Sequence, residues 1–283
     1  MLKRTITGAI YVAIIVGFFF LRNVDCRLFD ILTLFFCTVG TFEVARVLKP
    51  YLYKGNFALA TLFGVLFVPL FFVIENYTVF YGACACLIFS GVLILYQAAV
   101  SGVKREKFTT FCVNALPFIY PALLLLAILC ANESKEGFIC LLLIFVISPC
   151  ADTFAYLVGM TYNKIRKGKA KKMCPRLSPK KTWAGAIGGV VGGIVGAIIV
   201  YFAVDKTGIC ATAKINPFLL FVIVGAVASV FTEIGDLFES YIKRKVGVKD
   251  IGNIMPGHGG IMDRIDGMTF AAVIIYLIFI LLL

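Results

Sequence analysis

The sequence predicts an all-α polytopic integral membrane protein of about nine transmembrane helices, N-terminus cytoplasmic and C-terminus outside. Three observations lead there. Of 283 residues, 61% are hydrophobic and only 15% charged, with 27 Phe, a composition far outside soluble globular usage. Apolar runs of about 20 residues, the length needed to cross a bilayer as a helix, recur along the whole chain. Lys and Arg gather in alternate connecting segments, 22 of the 27 on the side that holds the N-terminus, and positive charge stays cytoplasmic.

The runs fall at 6–21, 28–48, 57–74, 77–97, 108–131, 138–159, 183–204, 217–238 and 267–283. The third and fourth are split only by Glu75 and Asn76, so one re-entrant feature is an alternative for that pair. Lys3 and Arg4 before the first run resemble a signal-peptide n-region, but no small-residue cleavage pattern follows Leu21, and an uncleaved helix is expected. The ten cysteines show neither disulfide-framework nor metal-site spacing and read as small buried hydrophobes.

The two halves differ in character. Residues 1–136 carry few polar groups and read as scaffold helices; residues 137–283 carry intramembrane acids and two long basic cytoplasmic loops, and read as the catalytic region. The loop 161–182 holds nine cations and no acid. From Lys164 to Lys172 this reads as topogenic charge meeting anionic headgroups. At Ser178, Pro179, Lys180, Lys181 and Thr182 it reads as capture of an anionic ligand, because Pro179 predicts a turn and Thr182 an N-cap. The helix opening at Trp183, itself suited to an interfacial anchor, would then aim its free N–H groups at the two lysines. Within that helix Gly185, Gly189 and Gly193 form one stripe and Gly188, Gly192 and Gly196 a neighbouring one. Both predict close packing, within the bundle or across a homodimer.

Acids inside spans are costly and mark candidate sites. Asp30 and Glu43 lie near helix ends and read as boundary or paired residues; Asp152 has no basic residue within a turn. Glu233, Asp236 and Ser240 share a helical face, with Glu239 beside it, one turn before Lys243 and Arg244. That density needs cations, either Mg2+ or the neighbouring basic residues, so a metal site and a structural ion-pair cluster are both open. From Ser240 to Asp266 the chain packs Asp250, Asp263 and Asp266, suited to hard cations, with Lys243, Arg244, Lys249 and Arg264, suited to phosphate. The same stretch holds the only histidine, His258, flanked by Gly257, Gly259 and Gly260, which allow close backbone approach. It reads as a metal-dependent phosphoryl-group site. No Walker A, GxSxG or GxGxxG pattern is present.

The order Ser240, Lys243-Arg244, Lys249-Asp250, Gly252, Pro256, His258-Gly259-Gly260, Asp263-Arg264 and Asp266 resembles the C-terminal signature of phosphatidate cytidylyltransferases, the CDP-diacylglycerol synthases. Met255 stands where that family more often has Leu, Ile or Phe. Asp152 to Tyr156 with Gly159, Ser178 to Thr182, and Gly235 to Leu237 with Glu239-Ser240 are similar too. Ala184 departs from the pattern, which commonly has Glu or Gln there.

The resemblance implies transfer of the cytidylyl group of CTP to phosphatidate, giving CDP-diacylglycerol and pyrophosphate with Mg2+, two metal positions being typical of such displacements. Asp236, Asp263 and Asp266 are then expected to ligate metal, with Asp152 and Asp250 as further candidates. Ser178, Lys180, Lys181, Thr182, Ser240, Lys243, Arg244, Gly259 and Gly260 are expected to bind phosphates of CTP or lipid. His258, Lys249 and Arg264 are expected at the reacting groups. The expected partners are CTP, an anionic lipid and the bilayer, with no nucleic acid, in a plasma-membrane protein whose active site faces the cytoplasm. The alternatives are a CTP-dependent transferase for another lipid phosphate and an ion-coupled transporter. The latter predicts midplane acids and short polar loops, whereas these acids gather toward one face beside basic loops.

Overall fold

The computed structural model describes residues 2–73, 108–204, 215–255, 257 and 259–282. The predicted fourth run, the basic segment at Lys104 to Lys107, and Pro256 and His258 lie outside the described residues. Among the described residues seven helices are long and apolar enough to cross a membrane, and the third run forms a shorter apolar helix, Asn56–Phe72. The architecture is that of a mostly helical, polytopic membrane protein. Among the described residues it departs from all-α by a two-stranded hairpin between spans.

By contact the chain divides into two compact units, Met1–Cys130 with Val248–Arg264, and Ala131–Gly247 with Ile265–Leu283. The glycine-rich signature segment thus groups with the N-terminal helices, although the sequence division at 136/137 places it with the second half.

In the first unit α1 (Leu2–Arg22) and α2 (Arg27–Leu48) meet through rings, Phe19 on Phe29 at 5.2 Å and Tyr11 on Phe36 at 6.4 Å. The outer apolar side chains of α1, Ile10, Val12 and Phe20 among them, are exposed, as suits a helix bathed in lipid. Helix α3 (Asn56–Val73) crosses α2 closely at Gly64, where an added Cβ would lie 2.8 Å from Thr41 Cβ. The buried Asn56 amide donates to Asn114 Oδ1 at 2.9 Å and to its carbonyl at 3.1 Å, tying α3 to α4 (Phe108–Phe118). Pro117 near the end of α4 precedes a π turn at Ile119–Leu123, which holds Pro121 at its centre, before α5 (Leu124–Glu133). Each proline removes an N–H from the helical ladder, and the chain kinks there.

The second unit is built on α6 (Gly137–Ile165), α7 (Trp183–Val204), α8 (Pro217–Val246) and the body of α9 (Met262–Leu282). Between α6 and α7 the strands β1 (Lys172–Cys174) and β2 (Ser178–Thr182) pair antiparallel. Pro179 therefore lies in a strand rather than making the predicted turn. Thr182 does cap α7, its Oγ1 accepting the Gly185 N–H at 3.0 Å. Asn216 caps α8 by accepting from Phe218 N–H at 2.9 Å, Pro217 opens the helix, and Gly247 closes it at φ 79°. At 30 residues α8 runs a full two turns past the predicted apolar boundary, carrying Asp236 to Lys245 on continuous helix.

The glycines of α7 pack against two helices, Gly185 against α6 at the Ala155 carbonyl. Added Cβ atoms at Gly192 and Gly196 would meet α6 at Phe154 and Cys150, whereas those at Gly189 and Gly193 would meet α8 at Glu233 and Ser229. Packing within the bundle accounts for both stripes. Gly193→Val is expected to lower stability by about 1–3 kcal/mol through overpacking, because its Cβ would lie 2.5 Å from Ser229 Cβ and 2.7 Å from the Gly225 carbonyl. Thermal unfolding in detergent reads this directly.

Candidate functional site

A cavity of about 480 Å3 opens in the second unit between α6, the hairpin and α8. Helix α6 contributes Asp152, Tyr156 and Asn163; the hairpin contributes Lys172, Ser178, Lys180 and Lys181; α8 contributes Glu233 and Asp236. The close approach of α6 to α7 that shapes its wall depends on two glycines facing each other, since a Cβ on Gly159 would sit 3.3 Å from Gly185 Cα.

Lys181 is the hub. Its Nζ donates to Glu233 Oε2 at 2.7 Å and contacts Asp236 Oδ2 at 2.8 Å, with only 20% of its side chain exposed. Burial alone would lower its pKa, but Asp236 and Glu233 outweigh that and hold the ammonium above the ordinary lysine value. Asp152 lies in the field of the same groups and of Asp266. Two carboxylates therefore hold Lys181, and Asp152 adds a third acid to the lining of a cavity edged by Lys172 and Lys180.

The far end of α8 is paired internally. Lys243 forms an ion pair with the buried Glu239 one turn earlier. Arg244 donates from Nε to the Leu177 carbonyl at 3.2 Å, fastening the hairpin to α8. Asp266 lies within reach of Glu239, Asp236 and Lys243, and Ser240 donates weakly to Asp236 Oδ1 at 3.4 Å. Here α8 and α9 touch backbone to backbone, for a Cβ on Gly235 would lie 2.7 Å from the Asp266 carbonyl. Lys243 and Arg244, expected on phosphate, thus already have protein partners.

In the first unit the signature loop is closed by Asp263. Its Oδ2 accepts the N–H groups of Gly260 at 2.8 Å, Ile251 at 3.1 Å and Gly252 at 3.3 Å, and its Oδ1 accepts Ile251 at 3.2 Å. Gly257 and Gly259 adopt φ of 80° and 85°, and Met255 N–H bonds the Gly259 carbonyl at 2.9 Å. Only glycine takes such φ without strain. Lys249, Asp250 and Arg264 stand exposed around this loop.

Four functional candidates escaped the sequence reading. Tyr156, Asn163 and Lys172 line the cavity, and the first two lie seven residues apart on one face of α6 with Asp152 one turn below. That spacing was a usable signal. The fourth, Glu43, expected to be a boundary or paired residue, is almost fully buried at 1% exposure.

Mg2+ holds its octahedral shell with one or two protein carboxylates, completing it with water and substrate phosphate. Among the described residues no group of three His, Cys, Asp or Glu side chains is arranged to hold a metal ion. The Asp152, Asp236 and Asp266 region matches the sparse pattern in donor chemistry, all hard oxygen and short of positive charge. An acid-rich cavity edged by cations suits a site that binds a polyanion together with a divalent cation.

A protein-family model described as the cytidylyltransferase family matches residues 2–282. A phosphatidate cytidylyltransferase of Rickettsia conorii is 31% identical over 230 residues, covering 79% of this chain and 91% of that protein. Proteins of the same name from Brucella abortus and Thermotoga maritima are 36% identical over 146 residues and 35% over 128, covering 52% and 45% of this chain and 48% and 44% of theirs. The match along nearly the whole chain carries the assignment: this protein belongs to the cytidylyltransferase family and is a nucleotidyltransferase.

Proposed function

We propose that this protein transfers the cytidylyl group of CTP to phosphatidate, releasing pyrophosphate and leaving CDP-diacylglycerol in the membrane, at the cytoplasmic face. The lysine held among carboxylates in a cavity edged by Lys172 and Lys180 carries the reading, and the name shared by the relatives supplies the substrate. The phosphate oxygen of the lipid attacks the α-phosphorus of CTP, the bond to the β-phosphate oxygen breaks, and both electrons leave with pyrophosphate. That nucleophile is already anionic near neutral pH, so no strong base is needed. The barrier is the meeting of two polyanions.

The residues divide this work by chemistry. Lys180, exposed at the cavity, and Ser178 are proposed to meet triphosphate oxygens, with Lys172 adding charge at the same rim. Lys181 stays charged and holds Glu233 and Asp236 in place. Asp236, with Asp152 or Asp266 as a second carboxylate, would hold Mg2+, which supplies charge neutralisation at the phosphates when bound. Asp263 organises the signature loop through its backbone hydrogen bonds, and the exposed Lys249, Asp250 and Arg264 on that loop are its proposed reactive faces. His258 keeps its proposed role of donating to the triphosphate.

Purified protein in detergent, given labelled CTP, Mg2+ and phosphatidate, is expected to yield a CDP-lipid. Turnover with another lipid phosphate but none with phosphatidate would move the substrate assignment. Absence of nucleotide dependence with any lipid phosphate would overturn it.

A further inference from the structure

Glu43 lies on α2, in the half of the chain read as scaffold, yet its carboxylate serves the signature loop. Oε2 accepts the Met262 N–H at 2.9 Å and Oε1 the Ile261 N–H at 3.3 Å, two of the donors left without intrahelical partners where α9 begins. An anion is favoured at that end of a helix dipole. The same carboxylate lies against Gly252 and Gly260, where an added Cβ at either position would overlap it. Gly40, one turn earlier on α2, has the Met262 sulfur 3.4 Å from where its own Cβ would be and Pro121 Cγ at 2.8 Å, so this face of α2 is fitted to the loop on both sides. Asp263 holds the opposite ends of that loop together through Ile251, Gly252 and Gly260.

We propose that Glu43 is a positioning residue for the cytidylyl-transfer site: from α2 it fixes where the signature loop ends and α9 begins, and Gly252 and Gly260 lack side chains to admit its carboxylate. The proposal rests on the cytidylyltransferase reading for its functional consequence, but not for its geometry. Lys249, Asp250 and Arg264 flank the segment that Glu43 seats. Misplacement of reacting groups by about 1 Å costs roughly 100-fold in rate, so a modest slip of this loop is sufficient to impair turnover.

Two measurements on the full-length protein test this. Amide hydrogen exchange over 251–264 reads the seating without reference to activity. Ile261 and Met262 are expected to be protected in the parent protein, to exchange roughly tenfold faster or more in Glu43→Ala, and to be intermediate in Glu43→Gln, whose amide oxygen still accepts. CDP-lipid formation is expected to fall roughly 10- to 100-fold in Glu43→Ala and less in Glu43→Gln. Gly260→Ala is expected to fall similarly, because its methyl group meets the Glu43 carboxylate. The double variant Glu43→Ala, Gly260→Ala is expected to be no worse than Gly260→Ala alone, since removing the carboxylate makes room for the methyl.

Losses that multiply in the double variant, or unchanged exchange at Ile261 and Met262 in both Glu43 variants, would overturn the proposal. Should Glu43→Ala fail to insert, Glu43→Gln carries the same comparison. Exchange that follows the expectation in a protein without CTP-dependent turnover would leave the seating intact and remove only the assigned reaction.

Discussion

Asp236→Asn is expected to reduce CDP-lipid formation by roughly 100- to 1,000-fold while the protein stays folded and inserted, the scale seen when one preorganised charge is removed from a phosphoryl or acyl site. Asp236 contacts Lys181 at 2.8 Å and keeps 35% of its side chain exposed at the cavity, so it has both a fixed position and a free approach. Glu233 is different: at 8% exposure its carboxylate is occupied in holding Lys181. Asparagine preserves the shape of Asp236 but removes the charge that steadies Lys181 and would neutralise a cation. The fold loses little, because Lys181 keeps Glu233. Kinetics at saturating CTP with thermal unfolding as control separate the two effects. Activity within threefold of the parent would remove Asp236 from the metal and phosphate chemistry.

Asp263→Ala is expected to abolish turnover by a different route. It strips the acceptor from the N–H groups of Ile251, Gly252 and Gly260, and each buried donor left unsatisfied costs about 1–3 kcal/mol. The loop then loses the constraint that sets Gly259 and Gly260. Asp263→Asn retains one oxygen that can occupy the Oδ2 position, and is expected to keep part of the loop protection and more activity than alanine. The ordering of the two variants is informative. Equal and complete loss of turnover in both, with loop amides still protected in the asparagine variant, would make Asp263 a metal ligand instead of the loop's clamp.

The features of the fold and site legible in the sequence are those written locally. Apolar runs marked the spans, Thr182 marked a helix start, and the order of residues from Ser240 to Asp266 carried the family. Asp152, Lys181 and Asp236 were readable as candidates because charge is rare in an oily chain. What stayed hidden depends on partners distant along it. Lys181 and Glu233 are 52 residues apart and Glu43 and Met262 are 219 apart, and no local pattern states such pairings. Glu43 reads as a boundary or paired residue because a position near a helix end is an ordinary place for an acid; its burial against Gly252 and Gly260 distinguishes it. Composition places Lys243 and Arg244 on phosphate but does not show that Lys243 pairs with Glu239 and that Arg244 donates to the Leu177 carbonyl. The short hairpin went unseen because Lys-rich strands of three and five residues carry no apolar alternation.

Cytidylyl transfer sends the two ends of CTP into different products. With phosphatidate, Mg2+ and CTP labelled in separate reactions at the α- or γ-phosphate, α-label is expected in the lipid fraction and γ-label in pyrophosphate, with both signals lost on chelation. Label from the γ-phosphate in the lipid would mean phosphoryl rather than cytidylyl transfer, and would contradict it.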